Sequence, residues 1–332
     1  MSLGEFLQRD NSLSEEEMMA AMTIIMDGKA DEGEITAFLI ELAERGESVS
    51  EITGAARVMR EKAITLNAPE NAIDCCGTGG DASGTYNIST AVAIVAASCG
   101  VPIAKHGGGA STSKSGSVDV LVELGVNIDV DIKKLEEAFS RFNFAFLAAP
   151  RHHSAMKNVR EVRKKIGRRT VFNLLGPLAN PSGTKFQLLG VYDAKWMRPM
   201  AEVLNRLGTV RAWVVHGSDR LDEITVTGET SVVILDEGKI TEAVLSPADF
   251  GLAVRKAEEL KGGDAKVNAA AMLEILQGAK NAYRDIVLAN AAAVLVIHGR
   301  AKDLKQGVNM AAEAIDSGKA MQTLNGYAEF TQ

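Results

Sequence analysis

At 332 residues the chain is too long for one small core and suits a large domain with a smaller companion. Its 46% hydrophobic and 24% charged residues are those of a globular protein, and a formal charge of -7 argues against nucleic acid as a general partner, because a polyanion calls for a net basic surface or a strong basic patch. Cys75, Cys76 and Cys99 make neither a disulfide framework nor a metal-ligand spacing, no apolar run reaches the roughly 18 to 20 residues that span a bilayer, and the opening MSLGEFLQRDNSLSEEE lacks signal-peptide regions, so a cytoplasmic protein with no membrane partner is expected.

The first 70 residues read as helices alone. Ser14 and Glu17 form a capping box, after which Met18, Met22, Ile25 and Met26 share one helical face and Gly28 stops the helix. A second helix follows Asp31, with Ile35, Phe38, Leu39 and Leu42 at i, i+3, i+4, i+7 spacing and Gly46 as its C-cap. A third starts near Ser50 and carries Ile52, Ala55, Ala56, Val58 and Met59. A methionine-rich face suits a promiscuous groove or a packed surface, and this spacing favours packing, in a core or a subunit interface.

After Pro69 short apolar segments alternate with amphipathic helices, the pattern of an α/β domain with a largely parallel sheet. Strands are expected over 72–76, 101–105, 144–148, 187–191, 211–216 and 231–235. Helices are expected over 91–99, 115–124, 132–142 and 194–207, and three more near the C-terminus over 265–276, 284–297 and 305–316. The division is then a helical domain over 1–70, completed by some later helices, and an α/β domain over 71–332.

Two glycine loops stand out, each following a short apolar segment and leading into helical sequence. In GTGGDASGTYNIST, Gly77, Gly79 and Gly80 permit close backbone approach, while Thr85, Asn87, Ser89 and Thr90 present polar groups where the next helix opens and its dipole favours negative charge. Asp81 inside such a loop suits the orienting of a donor or the holding of ribose-type hydroxyls. The loop matches neither GxxxxGK[ST] nor GxGxxG, and a tight turn is the plain alternative. The second loop, KHGGGASTSKSGS, adds Lys105 and Lys114 as point charges and Ser111, Thr112, Ser113, Ser115 and Ser117 as small donors, with His106 either lining a pocket or structural. Together the loops point to a phosphate-rich substrate.

Beyond the strand AWVVH, Asp222 and Glu223 are adjacent carboxylates of the kind that hold Mg²⁺ beside substrate phosphates, or that sit in a solvated turn. In the basic stretch that follows APRHHS, Lys157, Arg160, Lys164 and Arg168 can share one solvated face, whereas Arg163 lies off that stripe and can fork around a carboxylate.

In their order, GTGGD with T-x-N-I-S-T, the KHG and SKSGS loop, RRTVFNLLGPLANP and VVHG with LDEI resemble the anthranilate phosphoribosyltransferases. SPADFGL, EELKGGDAKVNA, RDIVLANAAA and AIDSGKA extend the resemblance over almost the whole chain. It implies a homodimer, with the N-terminal helices as candidate interface, built from a small helical domain and a large α/β domain of the nucleoside-phosphorylase type. It implies transfer of phosphoribose from phosphoribosyl pyrophosphate to the amine of anthranilate, with release of diphosphate, in tryptophan biosynthesis. By motif match, Gly77, Thr78, Gly79, Gly80, Asp81, Thr85, Asn87, Ile88, Ser89 and Thr90 would hold the phosphoribosyl donor. So would Lys105, His106, Gly107, Gly108, Gly109, Ala110, Ser111, Thr112, Ser113 and Ser117. Ser89, Asp222 and Glu223 would serve Mg²⁺, and Arg163 would meet the anthranilate carboxylate, with Gly77, His106, Gly108 and His153 around the acceptor. No covalent nucleophile is expected and no general base is assigned.

The chain departs from the family pattern where KHGNRxxSSKSG would stand: Gly108 and Gly109 replace the usual asparagine and arginine, and Ser154 replaces the usual proline after His153. The donor motifs are intact, so the departure bears on the acceptor. The rival readings are a related-fold transferase or nucleoside phosphorylase with another acceptor, and a non-catalytic nucleic-acid binder using Lys157 to Arg169.

Overall fold

The computed structural model describes residues 3–7, 11–110 and 114–332. Four helices open the chain: α1 (Leu3–Leu7), α2 (Glu15–Met26), α3 (Glu32–Arg45) and α4 (Val49–Glu61). Three start with a complete capping box, Ser14 with Glu17, Asp31 with Glu34 and Ser48 with Glu51, so each start is written in local sequence. Because Ser48 is the cap, α4 begins one residue before the expected Ser50. Met18, Met22, Ile25 and Met26 are all buried, as are the periodic residues of α3 and α4, so the methionine face is core.

Seven strands follow: β1 (Ile73–Gly77), β2 (Ile103–Gly107), β3 (Phe144–Ala148), β4 (Phe186–Gly190), β5 (Arg211–Gly217), β6 (Thr230–Asp236) and β7 (Lys239–Leu245). They form one sheet in the order β3-β2-β1-β4-β5-β6-β7. The pairs from β3 across to β5 are parallel, and β6 and β7 continue antiparallel. The chain builds outward from β1 to β3, then returns to lay β4 on the other flank of β1. That makes the β1/β4 seam a switch point, with the carboxyl ends of both strands at one edge and Gly77 paired with Gly190.

Helices α5 (Ile88–Ser98), α6 (Ser117–Glu123), α7 (Ile132–Phe142), α8 (Ala149–His152), α9 (Lys157–Ile166), α10 (Phe172–Leu175) and α11 (Met197–Arg206) lie among or after the strands, and α12 (Ala265–Leu276), α13 (Ala282–His298), α14 (Leu304–Asp316) and α15 (Lys319–Thr331) close the chain. Nearly every residue of α5 and α13 is buried, because the two helices pack together inside the larger core. A second core joins α1–α4 to α9, α10, α11 and the other face of the sheet. The sequence reading lacked β7, an edge strand of mixed exposure, and α15, which follows the left-handed Gly318, as well as the short helices α1, α8 and α10.

Candidate active site

At the carboxyl edge of β1 the backbone turns through Gly79 and Gly80, both with positive φ, and runs to Asn87, the N-cap of α5. Asn87 makes no capping bond to its own helix. Its amide instead bridges to the second loop, with Nδ2 donating to the Ser115 carbonyl at 3.2 Å. Ile88, Ser89 and Thr90 form the first turn of α5, where the dipole and the backbone N–H groups favour an anion. The second loop leaves β2 at Gly107. Its far side is tied by Asp119, whose carboxylate accepts the N–H groups of Ala110 at 2.9 Å and Gly116 at 2.8 Å.

These loops enclose a cavity of about 630 Å³. Of the expected donor residues, Gly77 to Asp81, Thr85, Asn87 to Ser89, Lys105 to Gly109 and Ser117 line it, together with Asp222 and Glu223. Thr90 is elsewhere: it is fully buried and its hydroxyl donates to Ser117 Oγ at 2.9 Å. Ala110 faces the neighbouring cavity, and Ser111, Thr112 and Ser113 lie outside the described residues. Lys105 is buried in the floor, where its ammonium donates to the Cys75 carbonyl at 2.8 Å and to Ser89 Oγ at 3.3 Å. Burial opposes that charge, yet Cys75, Asp74 and Glu223 around it lift its pKa above the usual lysine value.

Asp222 and Glu223 follow the β5 hairpin turn and reach back under the first loop. Asp222 accepts the Gly79 N–H at 2.7 Å. Burial, reinforced by the Asp81 carboxylate, pushes Asp222 up to about 7. Glu223, half-buried beside Asp222, is pushed well above the usual carboxylate range by desolvation and the Asp222 charge, although Ser89 N–H donates to it. Among the described residues no three His, Cys, Asp or Glu side chains are gathered as a closed metal cage. The half-buried carboxylates of Asp222 and Glu223 and the Ser89 hydroxyl are nevertheless hard oxygen donors, and carboxylates whose pKa neighbouring negative charge raises are the setting a divalent cation relieves. The donor set fits Mg²⁺ shared with substrate oxygens.

A second cavity, about 930 Å³, adjoins the first and shares with it Cys76, Gly77 and His106 to Gly109. Its walls carry His153, Arg163 and Phe172, and the stripe expected to be solvated, Arg160, Lys164 and Arg168, also lines it. The Arg163 guanidinium lies 5.3 Å from the Phe172 ring centroid, and burial lowers its pKa. Arg168 is partly spent on Glu44 at 2.9 Å. His106 and His153 meet edge to face with centroids 5.1 Å apart. Burial and mutual repulsion with the neighbouring histidines hold His106 down to about 3 and His153 to about 4, so both rings are neutral at pH 7. His106 Nδ1 lies 3.2 Å from the Gly176 carbonyl, which can only accept, so the ring's proton is on Nδ1. Its Nε2 is then a bare acceptor, and the Nε2 atoms of both rings are buried without a protein partner among the described residues.

The wall opposite Asp222 was missed. Lys261, Gly262, Gly263 and Asn268 line the donor cavity although they lie far along the chain. Thr85 and Lys261 form an isolated antiparallel bridge, and Gly262 N–H donates to the Gly84 carbonyl at 2.9 Å. KGGD resembles any other turn, so the only local signal was its paired glycines preceding a helix.

A helical bundle joined to an α/β domain is the architecture of a glycosyl transferase family. The helical bundle domain of a glycosyl transferase family matches residues 5–63, and the a/b domain of that family matches 69–321. The anthranilate phosphoribosyltransferase of Rhodospirillum rubrum is 55% identical over 312 residues, 94% of this chain and 90% of that one. The crystal structure of the Thermus thermophilus anthranilate phosphoribosyltransferase superposes with a TM-score of 0.94 at 40% identity, covering 100% of this chain and 99% of that chain. The Saccharomyces cerevisiae enzyme in complex with PRPP and Mg superposes at 0.88 with 29% identity, covering 96% and 93%. The chain belongs to the anthranilate phosphoribosyltransferase family.

Proposed function

We propose that the protein transfers the phosphoribosyl group of phosphoribosyl pyrophosphate to the amine of anthranilate and releases diphosphate, a step of tryptophan biosynthesis. The observation that carries this is the shared wall: a loop cavity built for anions and a cleft built for an aromatic carboxylate meet at Gly77 and His106 to Gly109.

The first loop, the α5 N-terminus and Lys105 bind and orient the phosphoribosyl donor. Ser89, Asp222 and Glu223 would hold Mg²⁺, which supplies charge neutralisation to the departing diphosphate. The bond from the anomeric carbon to diphosphate oxygen breaks with its electron pair on diphosphate, the amine nitrogen bonds to that carbon, and one amine proton leaves to diphosphate or water. Arg163 meets the acceptor carboxylate, while the bare Nε2 of His106 accepts an amine N–H and sets the nitrogen's direction, with the neutral His153 ring beside it. With pKa values of about 3 and 4 neither ring is a strong proton acceptor, so they position rather than deprotonate.

The same reading assigns the helical unit over 1–70 and the donor-binding unit over 71–332, two copies joined through the N-terminal helices, and a cytoplasmic setting. Among the described residues no helix is long and apolar enough to cross a membrane.

The test is loss of anthranilate fluorescence on mixing protein, phosphoribosyl pyrophosphate and Mg²⁺, with and without chelator. A metal-dependent decay is expected. No decay, with thermal stabilisation by donor and Mg²⁺ retained, would move the acceptor to another chemical class.

A further inference from the structure

We propose that Asn268 of α12 is a positioning residue for the donor site, acting through the side-chain amide of Asn87. The proposal rests on the donor reading of the smaller cavity. Three bonds run in series. Gly263 N–H donates to Asn268 Oδ1 at 2.8 Å, which leaves the Asn268 NH₂ group facing the first loop. Asn268 Nδ2 donates to Asn87 Oδ1 at 2.8 Å across 181 positions of chain. Asn87 is thereby turned so that its NH₂ end meets the Ser115 carbonyl at 3.2 Å, while Ser115 Oγ donates to Asn87 Oδ1 at 3.4 Å.

The opposite orientation of Asn87 would set its carbonyl oxygen against the Ser115 carbonyl, two acceptors face to face. It would also turn an acceptor, in place of N–H groups, toward the seam where both loops receive an anion. Asn268 selects between the two. Its side chain is 1% exposed, so this amide is a buried selector and not a solvated one.

The glycines before α12 make the approach possible. A Cβ on Gly262 would stand 2.7 Å from both Asn268 Oδ1 and the Thr85 carbonyl oxygen. Only bare backbone allows the segment to lie against the first loop this closely.

The experiment uses the intact protein without acceptor and measures binding of phosphoribosyl pyrophosphate with Mg²⁺ by calorimetry. N268D keeps the shape but cannot donate to Asn87. Donor affinity is expected to fall about tenfold and, in separate turnover assays, the anthranilate KM to stay within about twofold. In an N87A background the same substitution is expected to cost nothing further, since the amide it orients is gone. Unchanged donor affinity in N268D overturns the proposal. So does an equal loss in the N87A background, which would make the new carboxylate's charge the cause. If N268D does not accumulate folded, N268A carries the same comparison without the charge. Failure of the unaltered protein to bind the donor would instead overturn the donor reading itself.

Discussion

Asp222 accepts the N–H of Gly79 at 2.7 Å, and Gly77 lies so close beneath it that a Cβ there would stand 2.2 Å from Asp222 Oδ2. Gly190, paired with Gly77 in the sheet, presses on the Asp222 backbone in the same way, with a Cβ meeting its carbonyl oxygen at 1.6 Å. The β1/β4 seam is therefore glycine on both strands because Asp222 occupies the space, its carboxylate over Gly77 and its backbone over Gly190. Gly77→Ala is expected to displace that carboxylate without backbone strain, since Gly77 has no positive φ. We predict a loss of about 10- to 100-fold in kcat/KM with a raised Mg²⁺ activation constant, the scale of disturbing a metal ligand's support. Titrating activity against Mg²⁺ decides it, and an unchanged activation constant would remove Asp222 from the metal set.

Gly108 stands in the wall between the two cavities, and a Cβ on it would meet nothing nearer than Ala149 Cβ at 4.0 Å. There is room for the asparagine that the family pattern places here, and no left-handed φ to oppose it. We predict that the protein holds anthranilate more weakly than that pattern would. Gly108→Asn should lower the anthranilate KM by about five- to tenfold, the worth of one or two hydrogen bonds, and leave the donor KM within about twofold. An anthranilate KM that does not move sinks the idea.

What was legible in the sequence was local. The capping box at Ser14 and the helix start after Asp31 were read from neighbouring residues, the Ser48 box was local too but was passed over for Ser50, and the apolar run over 91–99 marks α5 as buried. The loops over 77–90 and 105–117 announce anion binding by composition. Strand β7 was not legible because an edge strand of mixed exposure carries neither alternation nor a continuous apolar run. The wall at Lys261 and Asn268 was hidden for a different reason. Its role exists only through pairing with Thr85 and Asn87, and no local rule encodes contact across such a distance. The Lys157, Arg160, Lys164 and Arg168 stripe is exposed, as its spacing suggested, but periodicity alone does not tell that Arg160, Lys164 and Arg168 also border the second cavity.

Glu51 is wholly buried, yet it serves three partners. It accepts Leu13 N–H at 2.8 Å and Ser48 N–H at 2.8 Å, and takes the Arg45 guanidinium at 2.5 Å. Burial alone would raise its pKa, but these donors outweigh it and the net shift is downward. One side chain thus caps α4, anchors the segment before α2 and pairs with the last turn of α3. Glu51→Ala should destabilise the protein by about 2 to 4 kcal/mol, since it leaves buried donors and a half-buried cation unmatched. Glu51→Gln, which keeps one acceptor, should cost less. Urea midpoints of the two variants give the comparison, and equal costs would show that the contribution is packing and not the network.

The His106 and His153 pair gives the stability a pH dependence with a definite sign. Both rings are held neutral in the folded protein, His106 at about 3 and His153 at about 4, below the ordinary value of 6.5. Between those limits the unfolded chain binds protons that the folded chain refuses, so stability rises with pH across this window and is lost as pH falls below 6.5. From about pH 7 to about pH 5 each ring should remove about 2 kcal/mol. His106→Asn keeps a donor for the Gly176 carbonyl but no titrating group. Its loss over that interval should be about 2 kcal/mol smaller than that of the unaltered protein. Urea unfolding of both proteins at the two pH values measures the difference. If the two lose stability in parallel, the ring of His106 is protonated in the folded protein and cannot be the bare acceptor that orients the amine.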